Sequence, residues 1–235
     1  MSIHTETPVI ATEGARPFDG YLARPQAGVG PGVIILTEMW GIAPLNRNMA
    51  DTFARQGWCV LIPNMFWRSA FPGLLSYEEP YRTRAWERLR AFDFDCAADD
   101  VRTAAGWLRA SPFCSGKVAA IGFCMGGRTA FLAAARSGVD AAAALYALGI
   151  DRHLDEVGKI ACPLQLHYGL NDEHVPRQEI DTVAQAVQRN SNIAVHLYPG
   201  AGHGFFNPVH ATYDPKAVEL ASQRIGDMLA RLRPQ

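Results

Sequence analysis

Gly122-Phe123-Cys124-Met125-Gly126-Gly127 sets one reactive thiol between glycines two positions to either side. An apolar run, Val118 to Ile121, precedes it, and an alanine-rich run from Thr129 to Arg136 follows. Strand, sharp turn and helix together are the grammar of a nucleophile elbow, Gly-x-Nuc-x-Gly, here with cysteine as the nucleophile. Such a turn leaves little room for side chains on its neighbours. It also aims the next backbone N–H and a helix N-terminus at the anion that forms during acyl transfer. A structural cysteine buried in a tight turn fits the hexapeptide as well.

Two further places bear on that choice. Leu166-His-Tyr-Gly-Leu-Asn-Asp172 ends an apolar run on a turn and puts an acid just before a helix. Asp172 can cap that helix, or it can orient a catalytic imidazole. In Tyr198-Pro-Gly-Ala-Gly-His203-Gly, a histidine between glycines stands on a loop, as a solvated group or as a base that reaches across the strand ends. In chain order, Cys124, Asp172 and His203 follow the nucleophile–acid–base sequence of α/β-hydrolases, each after a strand. The coincidence of residue type, order and placement favours the catalytic reading.

In that reading His203 takes the thiol proton or stabilises the thiolate, which is the nucleophile. Asp172 fixes the imidazole tautomer. The N–H of Met125 is one half of an oxyanion hole, and the other half comes from Thr37-Glu38-Met39-Trp40-Gly41, the loop after the first buried strand. Glu38 on this loop is either a surface glutamate or a carboxylate that holds the resting thiol's proton until substrate displaces it. His167 with His174, and His203 with His210, lack zinc-ligand spacing, so no metal is expected. No cofactor is expected either.

The elements that must position these groups follow from hydrophobic runs. Gly32–Leu36, Cys59–Ile62, Val118–Ile121, Ala141–Leu148, Leu164–Tyr168 and Ile193–Tyr198 read as buried strands. Between them, helical periodicity runs through Leu45, Met49 and Phe53, then through 93–110, 129–136, 176–189 and 215–232. Residues 3–22 are expected to supply one or two edge strands, and the Trp-, Tyr- and Arg-rich stretch 64–90 is left without an element. Short buried runs alternating with longer helices predict one α/β domain over residues 1–235, with a mostly parallel sheet covered by helices on both faces.

Composition limits the alternatives. The 235-residue chain is 49% hydrophobic and carries a net charge of −1 without a basic block, so neither nucleic acid nor a membrane surface is an expected partner. Its longest apolar run, Ala141 to Ile150, is too short to span a bilayer. Five widely spaced cysteines without a CxxC pair point to reduced thiols, and Cys59 and Cys162, beside apolar runs, are expected in the core. The N-terminal stretch lacks the basic-then-apolar pattern of a signal peptide, so a cytoplasmic location is expected. A monomer is the expectation for assembly, a dimer the alternative.

Over essentially its whole length the chain resembles the dienelactone hydrolase (carboxymethylenebutenolidase) family. The matching signatures are Thr37-Glu38-Met39-Trp40-Gly41, Ala91-Phe92-Asp93, the cysteine elbow, Gly169-Leu-Asn-Asp172 and Gly202-His203. The resemblance implies an α/β-hydrolase fold, a Cys124–His203–Asp172 triad, and a Glu38 that contacts the resting thiol and helps to activate it. It implies an oxyanion hole from the N–H groups of Met39 and Met125. Arg82 falls where the family grips a substrate carboxylate, and Trp40, Trp86 and Tyr146 match pocket positions. The family's second carboxylate-binding arginine is replaced here by Asn207, an amide without charge or a bidentate fork. The implied substrate is a small lactone or ester, of the kind met in aromatic-compound degradation. A broader carboxylesterase and a catalytically silent binding protein are the competing readings.

Overall fold

Residues 1–234 are described by a computed structural model. Nine strands form the sheet: β1 (Ile3–Glu6), β2 (Val9–Glu13), β3 (Arg16–Pro25), β4 (Gly30–Leu36), β5 (Cys59–Pro63), β6 (Cys114–Phe123), β7 (Ala141–Leu145), β8 (Leu164–Gly169) and β9 (Ile193–Tyr198). Their order is β1-β3-β5-β4-β6-β7-β8-β9, with β2 paired to β3. From β5 to β9 every pairing is parallel, whereas β1, β2 and β5 all pair antiparallel to β3. Strand order reverses around β4, and the carboxyl ends of β4, β6, β8 and β9 open on one edge, where α/β sheets hold their ligands.

Side-chain alternation divides the interior into two cores. Ile34, Leu36, Leu61, Val118 and Ala120 face one side, against helices α3 (Phe94–Ala110), α4 (Met125–Arg136) and α5 (Arg177–Val187). Val33, Ile35, Val60, Ile62 and Ile121 face the other, against α1 (Pro44–Arg55) and α6 (Pro215–Ala230). Burying one Ile or Leu side chain is worth about 1.5–3 kcal/mol, so a one-residue slip of β4 would be heavily opposed. Local signals place the helix starts. Asp93 accepts from the N–H groups of Asp95 and Cys96, and Asp214 caps α6 just before Pro215.

Several expectations need correction. Residues 3–22 hold parts of three strands, the third running on to Pro25. The strand expected over 141–148 stops at Leu145, because Tyr146 turns with φ 37°. The unassigned stretch contains helix α2 (Tyr81–Arg90), and Ile150–Lys159 forms a 3-10 run. Cys59 is buried, but Cys162 is only half-buried at the edge of its core.

Candidate active site

The elbow is built by backbone contacts that exclude side chains. Cys124 sits at φ 57° and ψ −118°, a conformation L-residues rarely adopt. A Cβ on Gly122 would overlap the Gly126 carbonyl, and one on Gly126 would overlap the Leu36 carbonyl. Gly127 is similarly confined, 2.8 Å from Ala147 Cβ if it carried a side chain. Cys124 therefore stands at the N-terminus of α4, the positive end of the helix dipole. The N–H of Met125 opens that helix and has no intrahelical acceptor.

Asp172 and His203 meet at the ends of β8 and β9. The Asp172 carboxylate is buried and accepts from the N–H groups of His174 (2.8 Å) and Val175 (3.1 Å). His203 Nδ1 lies 2.9 Å from its Oδ2 and 3.1 Å from its Oδ1. The imidazole is packed edge-on against Tyr146 and His174. Burial works against a charged ring, but the neighbouring Cys124 sulfur and the Asp172 carboxylate outweigh it and push His203 up to about 10. The arrangement favours the protonated imidazole.

Glu38 is held by residues far away in sequence. Tyr146 Oη donates to its Oε1 at 3.0 Å, Asn207 Nδ2 donates to its Oε2 at 3.3 Å, and His210 Nε2 lies 3.6 Å from Oε2. Burial first, and then the Glu38 charge, raise the Tyr146 phenol well above its usual range, so it stays a donor. Asn207 also donates to Tyr77 Oη at 3.1 Å. The resemblance implies that Glu38 contacts the thiol, yet both its oxygens are engaged by these other partners. Asn207 and Tyr146 line, with Glu38, Trp40 and Tyr77, a pocket that shares those three residues with the cleft beside Cys124.

Cys124, His203, Glu38, Met39 and Trp40 open on a cleft of about 720 Å3. Its far wall is α2, which presents Arg82 and Trp86. Arg82 is exposed, and its Nε donates to Glu79 Oε1 at 3.0 Å. Trp86 meets His174 edge-on, with ring centroids 6.0 Å apart. Glu79, Glu173, His174, His210 and Tyr77 also line the cleft, and sequence reasoning singled out none of them for it. No spacing signal marks them, since each reaches the cleft only through folding. Among the described residues no three His, Cys, Asp or Glu side chains form a group able to hold a metal ion, and no helix is long and apolar enough to cross a membrane.

A mixed, mostly parallel sheet with helices on both faces and an elbow after β6 defines an α/β-hydrolase. The profile of the Dienelactone hydrolase family matches residues 18–232, and the chain belongs to that family. Carboxymethylenebutenolidase 1 of Cupriavidus pinatubonensis is 31% identical over 226 residues, 96% of each chain. The carboxymethylenebutenolidase of Pseudomonas sp. strain P51 is 30% identical, covering 98% of this chain and 97% of its own. Among solved structures, a metagenomic protein described as a dienelactone hydrolase-like promiscuous phosphotriesterase superposes with a TM-score of 0.84 over the full length of both chains at 21% identity, a likeness of fold alone.

Proposed function

We propose that this hydrolase opens an enol-lactone, or a similarly activated ester, through a thioester on Cys124. What carries the reading is the half-buried Asp172–His203 hydrogen bond beside a thiol at a helix N-terminus, with His203 pushed up to about 10 by those neighbours. The thiolate attacks the carbonyl carbon, and the N–H groups of Met39 and Met125 hold the oxyanion. Removing one such donor typically costs about 100- to 1,000-fold in rate. The tetrahedral anion formed with the S–C bond then collapses: the carbonyl re-forms, the ring C–O bond breaks to leave the thioester, and the departing enolate takes the His203 proton. Neutral His203 then accepts a proton from water as it attacks the thioester. The acid leaves, and the thiolate and imidazolium are restored.

A stabilised enolate leaves without much protonation, which suits a thiol nucleophile. Arg82 is proposed to hold a substrate carboxylate, and Trp40 and Trp86 to flank the ring. Glu38 lines the same cleft as Cys124 while its oxygens accept from Tyr146 and Asn207, so its proposed part is a switch between those partners and Cys124. The proposed metabolic setting is breakdown of aromatic compounds.

Charge around the cleft favours a second reading, a broader carboxylesterase. Glu38, Glu79 and Glu173 line the cleft with Arg82 as the single Lys or Arg, and Glu79 already occupies Arg82. The test is turnover of cis- and trans-dienelactone beside p-nitrophenyl acetate. Preference for a dienelactone supports the first reading, and preference for the neutral ester supports the second. No turnover of any, with slow iodoacetamide labelling of Cys124, would leave a silent binding protein.

A further inference from the structure

Arg88 lies on the same helix as Arg82 and Trp86 but turns away from solvent, at 4% exposure. Its guanidinium carbon stands 3.7 Å from the centroid of the Phe66 ring. Nη1 donates to the carbonyls of Phe71 and Gly73, each at 2.8 Å, and Nη2 donates to the carbonyl of Met39. Among the described residues no carboxylate forms an ion pair with it, and burial pulls it down to about 10, still cationic at neutral pH. Carbonyl acceptors from two separate segments therefore do the work a counter-ion would do for a buried charge.

The place of these contacts is informative. Met39 follows Glu38 on the loop after β4, and that loop is tied to the same segment a second time, by the N–H of Leu75 donating to the Trp40 carbonyl at 2.9 Å. Gly41, at φ 90°, lets the loop pass close to Gly73 and the Arg88 guanidinium. A planar fork can hold carbonyls on both segments at once, whereas an ammonium is a point donor. Helix α2, the 71–75 stretch and the 38–41 loop thus form one unit with Arg88 at its centre.

We infer that Arg88 is a positioning residue: by gripping the Met39 carbonyl it fixes the 39–40 peptide unit, and through Met39 Cα it restrains the adjoining unit that carries the Met39 N–H, which sets the spacing of that N–H from Arg82, Trp86 and the Cys124 sulfur. The inference rests on the oxyanion role proposed for Met39. Because Arg88 touches neither Cys124 nor His203, it separates two reactions of the same thiol. Acyl transfer needs the oxyanion donor, while alkylation by iodoacetamide needs only the thiolate.

The experiment compares wild type, Arg88→Lys and Arg88→Met in p-nitrophenyl acetate hydrolysis and in iodoacetamide labelling of Cys124, with near-UV circular dichroism to check folding. Misplacement of a catalytic group by about 1 Å can cost about 100-fold. The expected result in Arg88→Met is a fall in kcat of about that size, with KM little changed and the labelling rate within about twofold of wild type. Arg88→Lys should fall between, since it keeps the charge and loses the fork. Wild-type kcat in both variants overturns the inference. A parallel loss of labelling and turnover overturns it too, since Arg88 would then support the whole site. Failure of both variants to fold makes Arg88 a residue of the fold alone and also overturns it. Wild-type protein that labels readily yet hydrolyses no ester sinks the proposed reaction, and this inference with it, on a readout that involves no variant.

Discussion

On one side of the cleft, Cys124, Asp172 and His203 stand on loops that leave parallel strands, close to backbone that a side chain would collide with. On the other, Arg82 and Trp86 stand on α2, exposed, with Arg82 in a water-facing ion pair to Glu79. The first wall is locked by burial and by hydrogen bonds between β8, β9 and their loops. The second is anchored inward by Ala85, Arg88 and Leu89, and its outer face is open to water. Chemistry that needs sub-ångström placement has its supports in the sheet, while groups that would select among substrates sit where change is cheap.

That contrast can be broken in four ways, from the largest expected effect down. Cys124→Ala should lower kcat by about 10,000-fold or more, measured with p-nitrophenyl acetate, because without the nucleophile only binding and the oxyanion donors remain. Residual turnover near wild type would remove Cys124 from the reaction. Gly122→Ala should cost about 3 kcal/mol or more in urea denaturation, since its Cβ meets fixed backbone. Thr83→Ala on α2, which loses only an exposed bond to Glu79, should stay within about 1 kcal/mol. Equal costs would erase the distinction between the walls.

The third test concerns acid. Beneath the Asp172 loop, His167 is fully buried, with Nδ1 2.7 Å from Tyr198 Oη and Nε2 3.1 Å from Gln165 Oε1. Arg224 Nη1 donates to the Tyr198 oxygen, so the tyrosine proton points to His167. Burial first, then His196 and Arg224, pull His167 down to about 3. Its folded value lies below the unfolded one, so the unfolded chain binds the extra proton. The neutral ring's contribution is present above about pH 6.5 and is lost as pH falls towards 3, at about 1.4 kcal/mol per unit. Urea melts at pH 6.5 and 4.5 should show that slope in wild type and a flatter one in His167→Gln. His203 has the opposite sign. Its value is raised, so its contribution is complete below about pH 6.5 and fades as pH rises through about 10.

The smallest effect belongs to the second wall. Glu79→Gln frees Arg82 and should lower KM for carboxylate-bearing lactones by about two- to fivefold, while p-nitrophenyl acetate kinetics stay unchanged, as expected for breaking an exposed ion pair. An equal shift for both substrates would remove Arg82 from any role in charge selection.

Much of the rigid wall was legible in advance. The elbow, the parallel runs and the loops carrying Asp172 and His203 are marked by small residues and hydrophobic period, both consequences of local backbone geometry. The second wall was not. Arg82, Arg84, Arg88 and Arg90 look alike in a polar stretch, and nothing in their spacing says that Arg88 is the buried one. Likewise Asn207 stands where the family resemblance implies a substrate contact, but its partners are Glu38 and Tyr77.

By itself, the amino-acid sequence determined the tight turn that carries Cys124, the order of the triad candidates and the alternation of strand and helix. Each is encoded within a few residues, by steric exclusion at glycine or by the period of buried side chains. Only the tertiary structure decided that Glu38 is held by Tyr146 and Asn207, that Glu79 occupies Arg82, and that Arg88 grips the Met39 loop. In the first and last of these, partners distant in the chain meet through folding. In the second, the backbone brings neighbours together with a geometry that residue types do not specify.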